Sequence, residues 1–155
     1  MLPKNILVPT DLGEGAEEAL DYACELASKL GATVHLVNVI GIPSMGVPEL
    51  GVAISSSVID SVVQENQAAL DKIVAAHAGQ ATFGQALLRV GDARDVINQT
   101  ATELHCDLIV MSTHGRRGLS RMLIGSVAES IVRTAPCPVL AVREHTTKHV
   151  DRDAA

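Results

Sequence analysis

Aromatic side chains are almost absent from this sequence, which has one Phe, one Tyr and no Trp in 155 residues. Proteins that bind single-stranded nucleic acid stack the bases on aromatic rings, so the composition argues against that class. A core with so few rings must be built from Ala, Val, Leu and Ile, which is typical of buried parallel strands covered by helices.

Positive charge is also scarce. Twelve Lys and Arg residues are outnumbered by 18 Asp and Glu residues, and the formal net charge is −6. No broad basic field is available to neutralise the phosphates of a duplex, so nucleic acid is not an expected partner. The exception is a local basic spot at Arg116 and Arg117.

Long apolar runs and paired cysteines are missing as well. No run approaches the roughly 18 residues that span a bilayer, and the first residues lack the apolar stretch of a signal peptide, so we expect no membrane insertion. Cys24, Cys106 and Cys137 are odd in number and lack metal-ligand spacing, which favours free, buried thiols in a reducing compartment. The expected location is the cytoplasm.

The sequence does contain a regular alternation of two kinds of segment. Apolar residues at helical spacing predict a helix after each of the first four strands, and Asp92 is the expected N-cap of the third helix. Short apolar runs predict five strands, at residues 6–8, 33–40, 82–90, 108–111 and 139–142.

This alternation predicts a single α/β domain over residues 1–144, followed by a flexible polar tail at 145–155. Continuously apolar strands joined by right-handed crossovers favour one five-stranded parallel sheet, in the order 3-2-1-4-5, with helices on both faces. Such sheets bind ligands where the winding direction reverses. The expected crevice therefore lies between the strands that end at Pro9-Thr10 and at Met111-Ser112.

A glycine-containing segment follows the fourth strand and carries the features of an anion site. Gly115 permits close approach of backbone to a ligand, and Arg116 and Arg117 bring positive charge to the same loop. Gly125 and Ser126 stand where the N–H groups of a helix N-terminus point outward. A phosphate chain is the expected guest of this segment.

The segment resembles the motif Gly-x2-Gly-x9-Gly-Ser/Thr of the ATP-binding universal stress proteins. Gly115 and Gly125-Ser126 match this motif at the right spacing, whereas Ser112 stands in place of its first glycine. Residues 5–11 and 135–143 resemble the family's opening and closing strands, so the likeness covers nearly the whole chain. It implies a Rossmann-like fold of the adenine nucleotide alpha hydrolase type.

By this resemblance the chain would bind ATP, together with Mg²⁺ held by Asp11 and the phosphates. The end of the first strand would lie beneath the adenosine, and the second strand would meet the adenine through its backbone. The two sides of the glycine segment would hold the ribose and the phosphates, with His114 lining the pocket through its backbone. The implied binding residues are Pro9, Thr10, Asp11, Val39, Met111, Ser112, Thr113, His114, Gly115, Arg116, Arg117, Gly125, Ser126 and Val127.

No catalytic residue is assigned, because the sequence has no P-loop lysine and no evident group to position an attacking water. The expected role is a nucleotide-responsive regulatory protein in stress adaptation, acting on an unknown protein partner. The alternatives are an interaction module that binds no nucleotide, a slow ATPase that uses Asp11 or His114, and a site for AMP or cyclic AMP. At Ser112, an extended backbone would make the serine harmless and leave its hydroxyl free to face the ribose, whereas a positive φ would strain it.

The last strand, at residues 137–143, is apolar and should lie at an open edge of the sheet. An uncovered edge invites pairing with another chain. The same strand pairs across the dimer axis in members of the family that the sequence resembles, so a homodimer is expected.

Overall fold

The computed structural model describes residues 1–41, 56–114 and 124–143. The proposed tail at 145–155 lies outside these ranges. Strands and helices alternate as the sequence predicts. The elements are β1 (Asn5–Thr10), α1 (Glu14–Leu30), β2 (Thr33–Ile40), α2 (Ser56–Ala76), β3 (Thr82–Val90), α3 (Ala93–Glu103), β4 (Leu108–Ser112), α4 (Ser126–Thr134) and β5 (Val139–Val142).

These strands form one five-stranded sheet in the order β3-β2-β1-β4-β5. Every pairing between neighbouring strands is parallel. The predicted order 3-2-1-4-5 is therefore confirmed, with β1 at the centre and β3 and β5 at the two edges. The winding direction reverses at β1, since the chain moves outward to β2 and β3 and then returns to β4 on its other side.

Helices cover both faces of the sheet, as predicted. Alternate residues of β1 point to opposite faces: Ile6 and Val8 pack in one core cluster, and Leu7 packs in the other. The first cluster includes the buried side of α1 and Leu70 of α2, whereas the second includes the buried sides of α3 and α4. This division explains the apolar runs in β1 and β4, because both faces of these inner strands are buried.

The ends of two helices follow from their sequences. The side chain of Asp92, the predicted cap of α3, accepts a hydrogen bond from the N–H of Arg94 at 2.9 Å. Helix α1 ends at Gly31, which has φ 66° and whose N–H donates to the carbonyl oxygen of Ala27. The end of the helix requires a left-handed backbone conformation at this position, and glycine adopts that conformation without strain.

The register of pairing between β2 and β3 shifts at His35, and the sequence pattern does not reveal this shift. Pairing shifts between Val34 and Leu36. The imidazole of His35 is buried, and its Nδ1 accepts a hydrogen bond from the N–H of Gln85 at 3.0 Å. Burial lowers the pKa of His35, which favours the neutral ring that this acceptor role requires.

The three cysteines are free thiols, and burial makes them poor nucleophiles. Cys24 and Cys106 are buried and Cys137 is half-buried. Burial raises the pKa of Cys24 to about 11 and that of Cys106 to about 12. The thiolate is the reactive form, so a raised pKa disfavours reaction at neutral pH. The expectation of buried thiols is confirmed for Cys24 and Cys106, whereas Cys137 is only half-buried.

Among the helices in the described ranges, none combines the length and apolar character that crossing a membrane would require.

Candidate functional site

A cleft opens between β1 and β4 at the carboxyl end of the sheet. These two strands pair only at Ile6–Leu108 and Leu7–Ile109, and they separate beyond that point. Along β1, the N–H and C=O of alternate residues face β4, as shown by the bond from the Asp107 N–H to the carbonyl oxygen of Asn5. The missing N–H of Pro9 therefore faces the gap, where the ladder has already ended and proline costs no hydrogen bond.

The cleft has a volume of about 460 Å³. It lies at the switch point where the predicted sheet order places a crevice. Its walls come from the ends of β1, β2 and β4 and from the first turns of the helices beside them. The lining residues are Pro9, Thr10, Asp11, Ala16, Val39, Ala93, Ile97, Met111, Ser112, Thr113, His114, Ile124, Gly125, Ser126, Val127 and Ala128.

Each binding residue implied by the resemblance that falls within the described ranges lines this cleft. Gly115, Arg116 and Arg117 lie outside those ranges. The sequence reasoning missed five lining residues, namely Ala16, Ala93, Ile97, Ile124 and Ala128. These residues are small or apolar and carry no binding signal in the sequence, and only the packing of the helices against the sheet shows which of them border the cleft.

The floor of the cleft is formed by a tight turn after β1. The hydroxyl of Thr10 accepts from the N–H of Leu12 at 3.0 Å, and Asp11 Oδ1 accepts from the N–H of Gly13 at 2.9 Å. Leu12 has φ 64°, a left-handed conformation that leucine adopts only where its surroundings enforce it. These two bonds hold Thr10 and Asp11 in place at the start of α1.

A buried amide supports this turn from the neighbouring strand. Asn38 is buried in β2 opposite Thr10, and its Nδ2 donates to the carbonyl oxygen of Thr10 at 2.8 Å. Its Oδ1 is buried without a hydrogen-bond partner. Asn38 therefore fixes the last carbonyl of β1 while the next residue, Val39, lines the cleft.

Ser112, which replaces the first glycine of the motif, fits its position without strain. Ser112 is the last residue of β4 and is therefore extended, and it is not among the residues of the described ranges that have positive φ. Its hydroxyl donates to the carbonyl oxygen of His114 at 2.7 Å and accepts from the N–H of His114 at 3.2 Å. The structure thus corrects the idea that this hydroxyl is free to face a ribose, because it braces the backbone of His114.

The N-terminus of α4 closes the opposite wall. The N–H of Gly125 donates to the carbonyl oxygen of Thr113 at 2.7 Å, which joins the helix start to the end of β4. Gly125 is the N-cap of α4 and supplies no side-chain cap. The first N–H groups of the helix, at Ser126 and Val127, therefore present a partial positive charge beside the cleft.

The chemistry of the described walls suits binding. Asp11 is the only carboxylate among the described lining residues. Within the described ranges no group of three or more His, Cys, Asp or Glu side chains is arranged to hold a metal. A cation beside Asp11 would therefore need further oxygen ligands from a bound molecule. Apolar walls ending at a helix N-terminus fit a ligand with a flat apolar part and an anionic part.

Comparison with known proteins relates most of the chain to one protein family. The sequence model of a protein family, described as the universal stress protein family, matches residues 3–143 of this chain. A universal stress protein of Methanocaldococcus jannaschii is 35% identical over 147 residues, which cover 92% of this chain and 84% of the relative.

Solved structures share the fold. A hypothetical protein whose biochemical function was assigned from its structure has a TM-score of 0.81 at 26% identity, with coverage of 95% of this chain and 100% of the other. A universal stress protein solved in complex with cAMP has a TM-score of 0.61 at 23% identity, with coverage of 92% and 98%. The second likeness shows the fold alone.

Proposed function

The chain belongs to the universal stress protein family, and from that premise we propose that it binds ATP, or a closely related adenine nucleotide, in the cleft between β1 and β4. The observation that carries this proposal is the geometry of the cleft. An apolar cavity of about 460 Å³ ends at the N-terminus of α4, which carries no side-chain cap. The apolar cavity favours the flat base of a nucleotide, and the helix N-terminus favours the negative charge of its phosphates.

The ligand would lie along the cleft in one direction. The adenine would lie against Val39 and the turn at residues 9–11, and the phosphates would extend toward the N–H groups at residues 125–127. In the loop outside the described ranges, Arg116 and Arg117 would add positive charge. Asp11 and phosphate oxygens would hold Mg²⁺, and the ion would neutralise part of the phosphate charge.

Ser112 supports nucleotide binding over the alternative of an interaction module that binds no nucleotide. The departure from the glycine of the motif is the sequence feature that favours that module, because it weakens the match to the nucleotide-binding pattern. Ser112 is extended, and its hydroxyl bonds to the backbone of His114, so serine fits this position at the wall of the cleft without strain. This reasoning leaves the nucleotide open, and AMP and cyclic AMP remain candidates. The neighbour solved with cAMP supports including cyclic AMP.

The proposed role is regulatory, in a stress response, with a protein partner that reads whether nucleotide is bound. We propose a cytoplasmic location, because three free cysteines suit a reducing compartment. A slow ATPase remains the enzymatic alternative, and it would require phosphate release that is lost when Asp11 is replaced by Ala.

The first test is to identify the ligand and measure its binding. Mass spectrometry of molecules released by denaturing fresh protein should find an adenine nucleotide. Calorimetric titration with ATP, AMP and cyclic AMP should then show binding, with GTP as the matched control of equal charge. At about 100 times the dissociation constant, ATP should raise the free energy of unfolding by about 2.7 kcal/mol. This corresponds to roughly 5–10 °C in melting temperature. An empty protein that binds none of the three adenine nucleotides would refute the proposal.

We also propose a homodimer through the edge strand β5. The carbonyls of Pro138 and Val142 accept hydrogen bonds from β4, at 2.9 Å from the Ile109 N–H and 3.0 Å from the Thr113 N–H. Residues alternate along a strand, so the N–H and C=O of Ala141 face outward at the open edge. Among the described strands none pairs with this side of β5, and an open edge of this kind can pair with a second copy.

Ala141→Pro should therefore convert the dimer to a monomer while the fold is kept, because it removes an outward-facing donor. Light scattering at micromolar concentration measures the mass, and Ala141→Ser is the matched control that keeps the N–H. A wild-type monomer would contradict the proposal, as would a dimer unaffected by the proline.

A further inference from the structure

His35 lies at a β-bulge between β2 and the edge strand β3. Across the register shift, β2 advances by two residues, from 34 to 36, whereas β3 advances by three, from 83 to 86. One residue of β2, His35, therefore faces two residues of β3, Gly84 and Gln85. An extra residue of this kind disrupts the main-chain ladder, so the backbone at the bulge needs hydrogen-bond partners from elsewhere.

The imidazole of His35 supplies such a partner. Its Nδ1 accepts a hydrogen bond from the N–H of Gln85 at 3.0 Å. The ring also lies against the backbone of Gly84, because it occupies the space that a side chain at this position would fill. Its other nitrogen, Nε2, lies 3.5 Å from Oδ1 of Asn5 in β1. The ring therefore joins the bulge of β3 to β1 across β2.

These contacts suit only the neutral imidazole. Nδ1 can accept from an N–H only while it carries no proton, so the proton of the neutral ring is on Nε2, where the oxygen of Asn5 can accept it. A second proton, on Nδ1, would face the N–H of Gln85, and two donors would then oppose each other. Burial lowers the pKa of His35 from its ordinary value of 6.5, in agreement with this geometry.

The titratable groups on the segments beside His35 do not offset a positive charge on its ring. The two acidic groups have other partners: the carboxylate of Asp107 accepts from two backbone N–H groups, and that of Glu103 pairs with a guanidinium at 2.6 Å. The other groups are bases, and burial alone accounts for the lowered pKa of His35. A protonated His35 would therefore lack the carboxylate that stabilises an imidazolium. These neighbouring groups are Lys4, Arg89, Glu103, His105 and Asp107.

We propose that His35 makes the edge strand β3 acid-sensitive, because protonation of its ring releases the N–H of Gln85 and loosens the bulge. The unfolded chain takes up this proton at a higher pH than the folded chain does. The stability that His35 contributes is therefore complete above the ordinary pKa, and it is lost as the pH falls through the lower pKa of the folded state. His35, Gly84 and Gln85 are not among the residues that line the cleft, so this device is independent of the proposed nucleotide site.

NMR on the wild-type protein tests the proposal. As the pH is lowered from about 8 toward about 5, where histidines titrate and most carboxylates do not, the amide resonance of Gln85 should shift in step with the ring of His35. Its protection against hydrogen exchange, corrected for the intrinsic effect of pH, should fall about fivefold, the loss expected for one neutral hydrogen bond. The amide of Val37, in the ladder between β1 and β2, should keep its protection. A Gln85 amide that does not respond when the ring titrates would overturn the proposal, as would a ring that stays neutral until the whole protein unfolds.

His35→Gln is the matched variant, because its amide oxygen can accept from the N–H of Gln85 but does not titrate. Urea denaturation at both ends of this pH range gives the unfolding equilibrium constants. On acidification, the constant should rise about fivefold more in the wild type than in His35→Gln. The other five histidines are common to both proteins, so their effects cancel. Equal acid sensitivity in the two proteins would contradict the proposal and leave the nucleotide site untouched.

Discussion

Replacing Ala93 by Trp should abolish most ATP binding while leaving the protein folded. Ala93 is the first residue of α3, is half-buried and lines the cleft. An indole at this position would occupy space that the proposed nucleotide needs. Overpacking a filled site costs about 1–3 kcal/mol, which corresponds to a loss of affinity of up to about a hundredfold.

Calorimetric titration with ATP measures this loss, and the melting temperature without ligand reports on the fold. Two matched controls separate occlusion of the cleft from other effects. Ala93→Ser keeps a small side chain and should bind ATP as wild type does. Gln99→Trp places the same ring at an exposed position of the same helix and should also bind normally. Undiminished ATP affinity in a folded Ala93→Trp variant would place the ligand elsewhere.

Gly84→Ala should lower the free energy of unfolding by about 2–3 kcal/mol. A Cβ at Gly84 would lie 2.3 Å from Cε1 and 2.6 Å from Nδ1 of His35, and 3.0 Å from Cγ2 of Thr33. The imidazole must move to relieve this clash, which breaks its bond with the N–H of Gln85. Overpacking costs about 1–3 kcal/mol and a lost hydrogen bond about 1 kcal/mol, so roughly 5–10 °C in melting temperature should be lost.

A double-mutant cycle tests the cause of this loss. His35→Ala removes the ring that a Cβ at Gly84 would strike, so Gly84→Ala should cost little in the His35→Ala background. Chemical denaturation of the four proteins gives the coupling free energy. Additive effects of the two substitutions would show that the destabilisation arises from the backbone of β3 and not from the contact with His35.

Much of the architecture was predicted from the sequence because it is encoded locally and by connectivity. Continuously apolar runs identified the strands, and apolar residues at helical spacing identified the helices. The right-handed crossover rule then gave the order 3-2-1-4-5, which the structure confirms. The position of the cleft followed from that order, since β1 and β4 diverge after Leu7 and Ile109. The polar residues that follow β1 and β4 were predicted to line the cleft because the two strands end beside it.

The contacts that support the cleft were not predictable, because they join residues far apart in the chain. The bond from Asn38 to the carbonyl oxygen of Thr10 depends on the register between β1 and β2, which no local pattern specifies. Ala93 and Ala128 resemble ordinary core alanines in the sequence, and only the packing of α3 and α4 against the sheet places them beside the cleft. For Ser112, the sequence left open whether its hydroxyl faces a ligand, and the structure turns it toward His114.

The sequence by itself therefore determined the elements, their order in the sheet and the edge at which the cleft lies. These depend on burial periodicity and on chain connectivity, both of which can be read along the chain. The tertiary structure alone decided which side chains meet around the cleft. Register and packing angle set those contacts, and a shift of one residue along a strand would turn each side chain to the opposite face of the sheet.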